Sequence, residues 1–348
     1  MKLIISIKLC VCSLIALSAY IVFTNVGLLG SVTETKVHQH CPSVKVDASH
    51  SRRPVPSTLY PATFETGFLL YDKEACSRAK SISLLYAVNS APGHFKQRQL
   101  LRSAFANGRS FLPVTVKTVF LIGRATNTTV TRRIVSEFAE FKDIIQGTFL
   151  DDYRNLTLKI TMGLKWISLY CRNVKLVGKI DDDVFVNTYR LLDMKHGIHT
   201  REPIHCDIAN ESVGKIHRGT SKWAVHGDVF KFYRHFPWIY CGGYAVFVLG
   251  ELIPNLYKAS LISPFIWIDD VYFTGIVVSR LINVEPHQGS FVRSDFLMQP
   301  KKGMECFRKR DCPVLATTVE CDYIPEYWRL VQEAWKVVKT SSGVVHVL

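Results

Sequence analysis

Three consecutive aspartates, Asp181, Asp182 and Asp183, close the apolar run 174–180, and Val184, Phe185 and Val186 follow at once. The run reads as a buried strand, which the second apolar triplet continues. Adjacent carboxylates at a strand end repel one another and resist desolvation. A solvated acidic turn is one resolution. The other is a hard divalent cation such as Mg²⁺ or Mn²⁺, whose preference for oxygen ligands offsets the repulsion. Ligands of open α/β sheets bind outside the carboxyl ends of strands, so this second resolution sets a metal against a phosphate group.

The preceding segments alternate in kind. Ser81–Val88 reads as a strand ending in the turn cluster Asn89–Gly93, and Val114–Ile122 as a second strand closed by Gly123. Helical periodicity marks Gln97–Phe105, Thr131–Phe141 and Leu156–Cys171, the last leading into the aspartate strand. Strand–helix alternation predicts an α/β sheet with parallel neighbours. Beyond Asp183 the expectation is short strands and aromatic loops through Tyr233–Tyr244. Helical signal follows over Leu249–Leu261, and the tail Tyr327–Val338 reads as an amphipathic helix whose Trp328 and Trp335 serve core packing.

The N-terminus bears on compartment. Lys2 and Lys8 precede an uncharged apolar stretch from Leu9 to Val32, long enough to span a bilayer as a helix. Positive charge on the short side orients that end to the cytosol. The expected organisation is a tail over 1–8, a transmembrane signal anchor over 9–30, a polar stem over 31–66 and a luminal domain over 67–348. A cleaved signal peptide is the competing reading. Eight cysteines lie beyond the stretch, an even set expected to be mostly disulfide-paired in an oxidising compartment. Acceptor triplets for N-glycosylation begin at Asn127, Asn155 and Asn210. The net charge of +14 favours anionic ligands or a membrane surface, and no nucleic-acid motif accompanies it.

A second acidic pair, Asp269–Asp270, follows the aromatic segment 264–268. Metal-assisted group transfer needs one carboxylate group that binds cation and another that accepts a proton. Helix capping is an equally available role for such a pair. Arg98 and Arg102, one helical turn apart, are candidates for phosphate contact or for structural ion pairing. His287 is a candidate nitrogen ligand. Trp223 and Tyr240 are candidates for an acceptor groove, or for buried packing.

Lys179–Ile180–Asp181–Asp182–Asp183–Val184–Phe185–Val186–Asn187 resembles the aspartate motif of the β-1,3-galactosyltransferase-like family, which includes β-1,3-N-acetylglucosaminyltransferases and the Fringe enzymes. Further stretches agree in order: Arg98 with Arg102, then Phe149–Lys159 continued by Trp166 and Cys171, then Lys222–Trp223, Phe236–Pro237, and Asp269–Tyr272 with Gly275. The resemblance covers about residues 80 to 290. It implies a GT-A type, Rossmann-like nucleotide-sugar transferase domain and a single-pass type II Golgi membrane enzyme. It further implies a UDP-hexose donor, Mn²⁺ (or Mg²⁺), a glycoprotein or glycolipid acceptor, and inversion at the anomeric carbon.

Carried onto this chain, the resemblance makes Asp183 the most direct metal ligand, beside the further ligand candidates Asp181 and His287, the latter from the residue reading alone. Asp181 and Asp182 contact metal-bound waters and ribose. Arg98 and Arg102 contact the donor, and Asp270 is the base with Asp269 behind it. Three positions depart from the family pattern: Phe105 replaces a usual Trp, Asp269 a usual Glu, and Tyr244 a small residue. They motivate an alternative, a non-catalytic nucleotide- or glycan-binding protein, or chaperone, of the same fold.

Overall fold

The computed structural model describes residues 66–194, 203–209, 214–281, 296–309, 312–319 and 324–341. All of them belong to one compact unit spanning Val44–Leu348. The anchor, the stem, His287 and the Asn210 triplet lie outside the described residues. Among the described residues no helix is long and apolar enough to cross a membrane.

A seven-stranded sheet runs through the unit in the order β1-β4-β3-β2-β5-β8-β7. Its centre is β2 (Ile82–Asn89), β3 (Val116–Arg124), β4 (Ile144–Leu150) and β5 (Val174–Asp181), all mutually parallel. Helices α1 (Phe95–Ser103), α2 (Thr128–Phe141) and α3 (Leu156–Tyr170) make the crossovers. The order β4-β3-β2-β5 reverses direction at β2, which is the topology of a Rossmann-like half. The α/β class expected from the sequence therefore holds.

Antiparallel strands finish both edges. On one side lies β1 (Phe68–Leu70), and on the other β8 (Cys241–Leu249) and then β7 (Ile204–Ile208). The strands β2, β3 and β5 are buried almost throughout, as expected of parallel strands covered on both faces. One face packs on α3, α5 (Ile253–Leu261) and a π-helical turn over Val271–Val277. The other packs on α1 and on α7 (Ile324–Ser341). There Trp335 stacks on Tyr189 of α4 (Thr188–Met194) with ring centroids 5.5 Å apart, in keeping with the core role expected for it.

Two expectations need correction. The triplet Val184–Val186 does not continue the aspartate strand. The chain turns at Asp182–Asp183, and these residues form β6 in a separate three-stranded sheet with β10 (Ala316–Thr318) and β9 (Phe296–Leu297), beside α6 (Pro300–Phe307). The bond from Val319 N–H to the Asp183 carbonyl, 2.7 Å, anchors that turn. The glycine-rich stretch from Cys241 is no loop but the start of β8, antiparallel to β5. Disulfides join Cys76–Cys171, Cys206–Cys241 and Cys306–Cys312. The second clasps β7 to the start of β8, beside the acidic centre.

Candidate active site

The reversal of strand order leaves a crevice between the carboxyl ends of β2 and β5, where Asn89 and Asp181 are register partners. Asn89 Nδ2 donates to Asp181 Oδ1 at 3.2 Å, and its buried Oδ1 has no partner among the described residues. On the other side of the carboxylate stands Lys179, two residues back on the same face of β5. Its buried ammonium donates to Asp181 Oδ1 (3.2 Å) and to the Gly243 carbonyl at the start of β8, and it lies 3.5 Å from Asp269 Oδ2. Burial alone pulls a lysine pKa down. Here Asp181, Asp269 and Asp270 outweigh it and hold Lys179 charged, above the usual range.

Thus one strand-borne cation joins the two acidic motifs that sequence keeps nearly ninety residues apart. Asp270 sits in contact with Gly243, close enough that a Cβ there would lie 1.6 Å from Asp270 Oδ1. Its carboxyl is raised to about 8, first by burial and then by the Asp269 charge. Although Asp269 and Asp270 open the helical segment, the Asp270 side chain makes no cap bond. A carboxylate protonating near neutrality suits a general base, because it can both accept and surrender a proton at working pH.

Asp183 is exposed, and its carboxylate has no described side-chain partner. Desolvation at the strand end, then the charges of Asp181 and Asp182, raise it to about 7. Asp182 points the other way. It is 8% exposed and accepts from Ser90 Oγ (2.6 Å) and His94 Nδ1 (2.9 Å). The hydrogen bond to Asp182 raises the His94 pKa. Through Oδ2 this carboxylate anchors the β2–α1 loop.

Of the two roles open to the arginines, the structure shows structural ion pairing. Arg98 is fully buried, and all five of its N–H groups are satisfied: by Glu137 Oε1 and Oε2, Ser90 Oγ, and the Ala91 and Pro92 carbonyls. Arg102 forks onto Asp143 (2.7 and 2.8 Å) and also reaches Glu137. No donor of Arg98 remains for a phosphate. The pair instead clamps α1 to α2 and props the loop that carries Ser90 and His94. Lys159 supports the same loop from α3, donating to the Ser90 carbonyl (2.8 Å) while paired with Asp151 (2.9 Å). Glu137 escaped the sequence reading, and Lys179 and Lys159 stood in it without a role, because a lone charge in an apolar or amphipathic run carries no periodic signal.

A galactosyltransferase family model matches residues 96–288, which is more than half of the chain and contains both acidic motifs. The chain belongs to the galactosyltransferase family. Similar relatives include the human beta-1,3-galactosyltransferase 2, 29% identical over 240 residues (68% of this chain and 56% of that one). Human beta-1,3-galactosyltransferase 1 is 29% identical over 234 residues, covering 66% and 69% respectively. The chain thus spans little more than half the length of the first of these relatives. A solved galactosyltransferase, LgtC with donor and acceptor sugar analogues, overlaps 71% of the chain and 95% of its own at a TM-score of 0.37 and 9% identity.

Against the family pattern, the three departures are all well packed. Phe105 is fully buried, edge-on to Tyr86 (5.8 Å) and Phe185 (5.3 Å). Asp269 faces Lys179, and Tyr244 donates from its hydroxyl to Asp207 at 3.2 Å. Trp223 is 44% exposed, as an acceptor groove requires, whereas Tyr240 is buried. Among the described residues no three Cys, His, Asp or Glu side chains converge as a metal cage. The exposed carboxylate of Asp183 and the neighbouring Asp181 are oxygen donors of the kind a hard cation prefers.

Proposed function

We propose that this galactosyltransferase-family chain moves a hexose, galactose as first choice and N-acetylglucosamine as second, from a UDP-sugar to a glycan hydroxyl in β-1,3 linkage. The acceptor belongs to a glycoprotein or glycolipid, and the enzyme works in the Golgi lumen on an N-terminal membrane anchor. The observation that carries this reading is the Lys179 bridge, which sets the Asp181 motif and the Asp269–Asp270 pair on one crevice.

In this reading Asp270 removes the proton from the attacking hydroxyl, which displaces the diphosphate from the far side of the anomeric carbon. Lys179 holds Asp181 and Asp269 in place and balances their charge. A divalent cation, Mn²⁺ or Mg²⁺, held by Asp183 and Asp181, supplies a Lewis acid for the departing diphosphate. Asn89 steadies Asp181 through its Nδ2 hydrogen bond.

The test uses the full chain in detergent with tritiated UDP-galactose and UDP-N-acetylglucosamine, a glycan panel, and manganese or chelator. Metal-dependent transfer or donor hydrolysis is expected, and Asp183→Ala should lose it. Absence of both activities would refute the transferase, and full activity in Asp183→Ala would remove the metal role.

A further inference from the structure

Beside the acidic centre, three aromatic rings from separate segments form an open floor. Tyr153 precedes α3, Trp223 lies in the long connection before β8, and Trp267 stands two residues before Asp269. Tyr153 and Trp223 are 46% and 44% exposed, and the Tyr153 hydroxyl is hydrogen-bonded to the Trp223 side chain. Tyr153 and Trp267 have ring centroids 6.2 Å apart. The floor lies within the field of Asp270, Asp269 and Asp181, whose charges help raise the Tyr153 phenol after burial does. Exposed aromatic faces beside a transfer centre suit the apolar face of a sugar ring.

Two cations border this floor. Lys222 Nζ lies 4.6 Å from the Trp223 ring centroid and 5.9 Å from that of Tyr153, and the Arg154 guanidinium lies 5.1 Å from the Trp267 ring. Both side chains are exposed, and neither has a carboxylate partner among the described residues. The Asp152 carboxylate next to Arg154 accepts instead from the Arg154 backbone N–H at 2.8 Å. The stretch 214–240 that contributes Lys222 carries five Lys and Arg against Asp228 alone. A neutral sugar needs the aromatic floor but gives these two cations nothing to bind. A sugar bearing a carboxylate or sulfate satisfies both features. It also needs local positive charge to approach a centre already crowded with aspartates.

We infer that the acceptor is an acidic saccharide, its sugar packed between the Tyr153 and Trp223 faces and the Trp267 ring, which is tilted 57° to Tyr153, and its carboxylate or sulfate held by Lys222 and Arg154. The inference rests on the transferase reading and names the acceptor class for it. The full chain is assayed with one aryl disaccharide in three forms: neutral, sulfated at a primary hydroxyl, or oxidised there to the carboxylate. The acidic forms should exceed the neutral one by about tenfold in kcat/KM, equal to roughly 1.4 kcal/mol. Whichever acidic form is preferred identifies the anion.

Lys222→Ala and Arg154→Ala should draw the acidic-to-neutral ratio toward one, with Lys222→Arg keeping most of it. Equal or better use of the neutral form would overturn the inference. So would a ratio indifferent to both substitutions, or weakened UDP binding at constant ratio, which would assign the cations to the donor. Donor hydrolysis by the wild type reads the transferase proposal separately. Should it be absent, direct titration of the three disaccharides still decides, because only selective binding of an acidic form supports the inference.

Discussion

Replacing Asp270 with asparagine separates the chemistry of the site from its stability. Folding raises this carboxyl from 3.8 to about 8, chiefly by removing it from water. In the unfolded chain at pH 7.5 it is fully ionised, so the fold is destabilised across about 3.7 pKa units. At 1.36 kcal/mol per unit the ceiling is ~5 kcal/mol. The attraction of Lys179 is already contained in that raised value; asparagine keeps the shape and removes the ionisation but not every hydrogen bond of the carboxyl, which sets a net gain of about 2 kcal/mol. For a domain of this size that is a rise in Tm of roughly 4 °C.

The sign follows from proton binding. Between the unfolded and folded pKa values the native state holds more protons, so wild-type stability falls as pH rises from about 4 to 8. The gap between variant and wild type should therefore vanish near pH 4 and be complete above pH 8. Thermal melts of the full chain in chelator, taken across that range, measure it. Transfer by the variant should fall by at least about a hundredfold. A variant no more stable than wild type at pH 8, or a pH-independent gap, would refute the desolvation argument. Retained transfer would refute the base.

Other substitutions test the scaffold around the site. Glu137→Gln leaves the buried Arg98 without its counter-charge and should lower stability by about 3–5 kcal/mol in denaturant titration. Burial pushes the Glu137 carboxyl up, but the bonds from Arg98 and Arg102 outweigh it and hold it below its usual 4.5. Its contribution is present above that value and should be lost as pH falls through the lower folded pKa, so the difference from Gln narrows in acid. Gly243→Ala drives a methyl group into Asp270 and should cut transfer at least about a hundredfold with circular dichroism little changed. Asn127 caps α2 through Oδ1, which leaves Nδ2 for a glycan, whereas Asn155 donates Nδ2 to the Leu150 carbonyl and its Thr157 is fully buried. Endoglycosidase with mass spectrometry should find a glycan at Asn127 and none at Asn155.

The legible parts of the fold were those with local periodicity. Strand β5 announced itself by seven residues without a break in the apolar pattern but for two lysines, and α3 by its spacing. The starts of α1 and α2 lie two and three residues earlier than the periodicity suggests, and at α2 the cap from Asn127 sets the first turn. Strand β4 (IIQGTFL) escaped because Gly147 interrupts it, yet the missing Cβ makes room for Phe149 and Met162. The acidic motifs were visible as residues, but their meeting was not, since the contact runs through Lys179 and the β8 backbone. The choice between the two roles of the arginines was hidden for the same reason. Two guanidiniums on one helix look like anion receptors until Glu137 and Asp143 arrive from another segment.

The contact between β8 and the acidic pair also says something about how this chain can lose its trade. At position 243 only a hydrogen atom fits, so a lineage relieved of selection for transfer has no reason to keep glycine there, while its hydrophobic interior stays under the old constraint. A side chain at that position in a sibling sequence would therefore mark a displaced acidic pair before any assay is run.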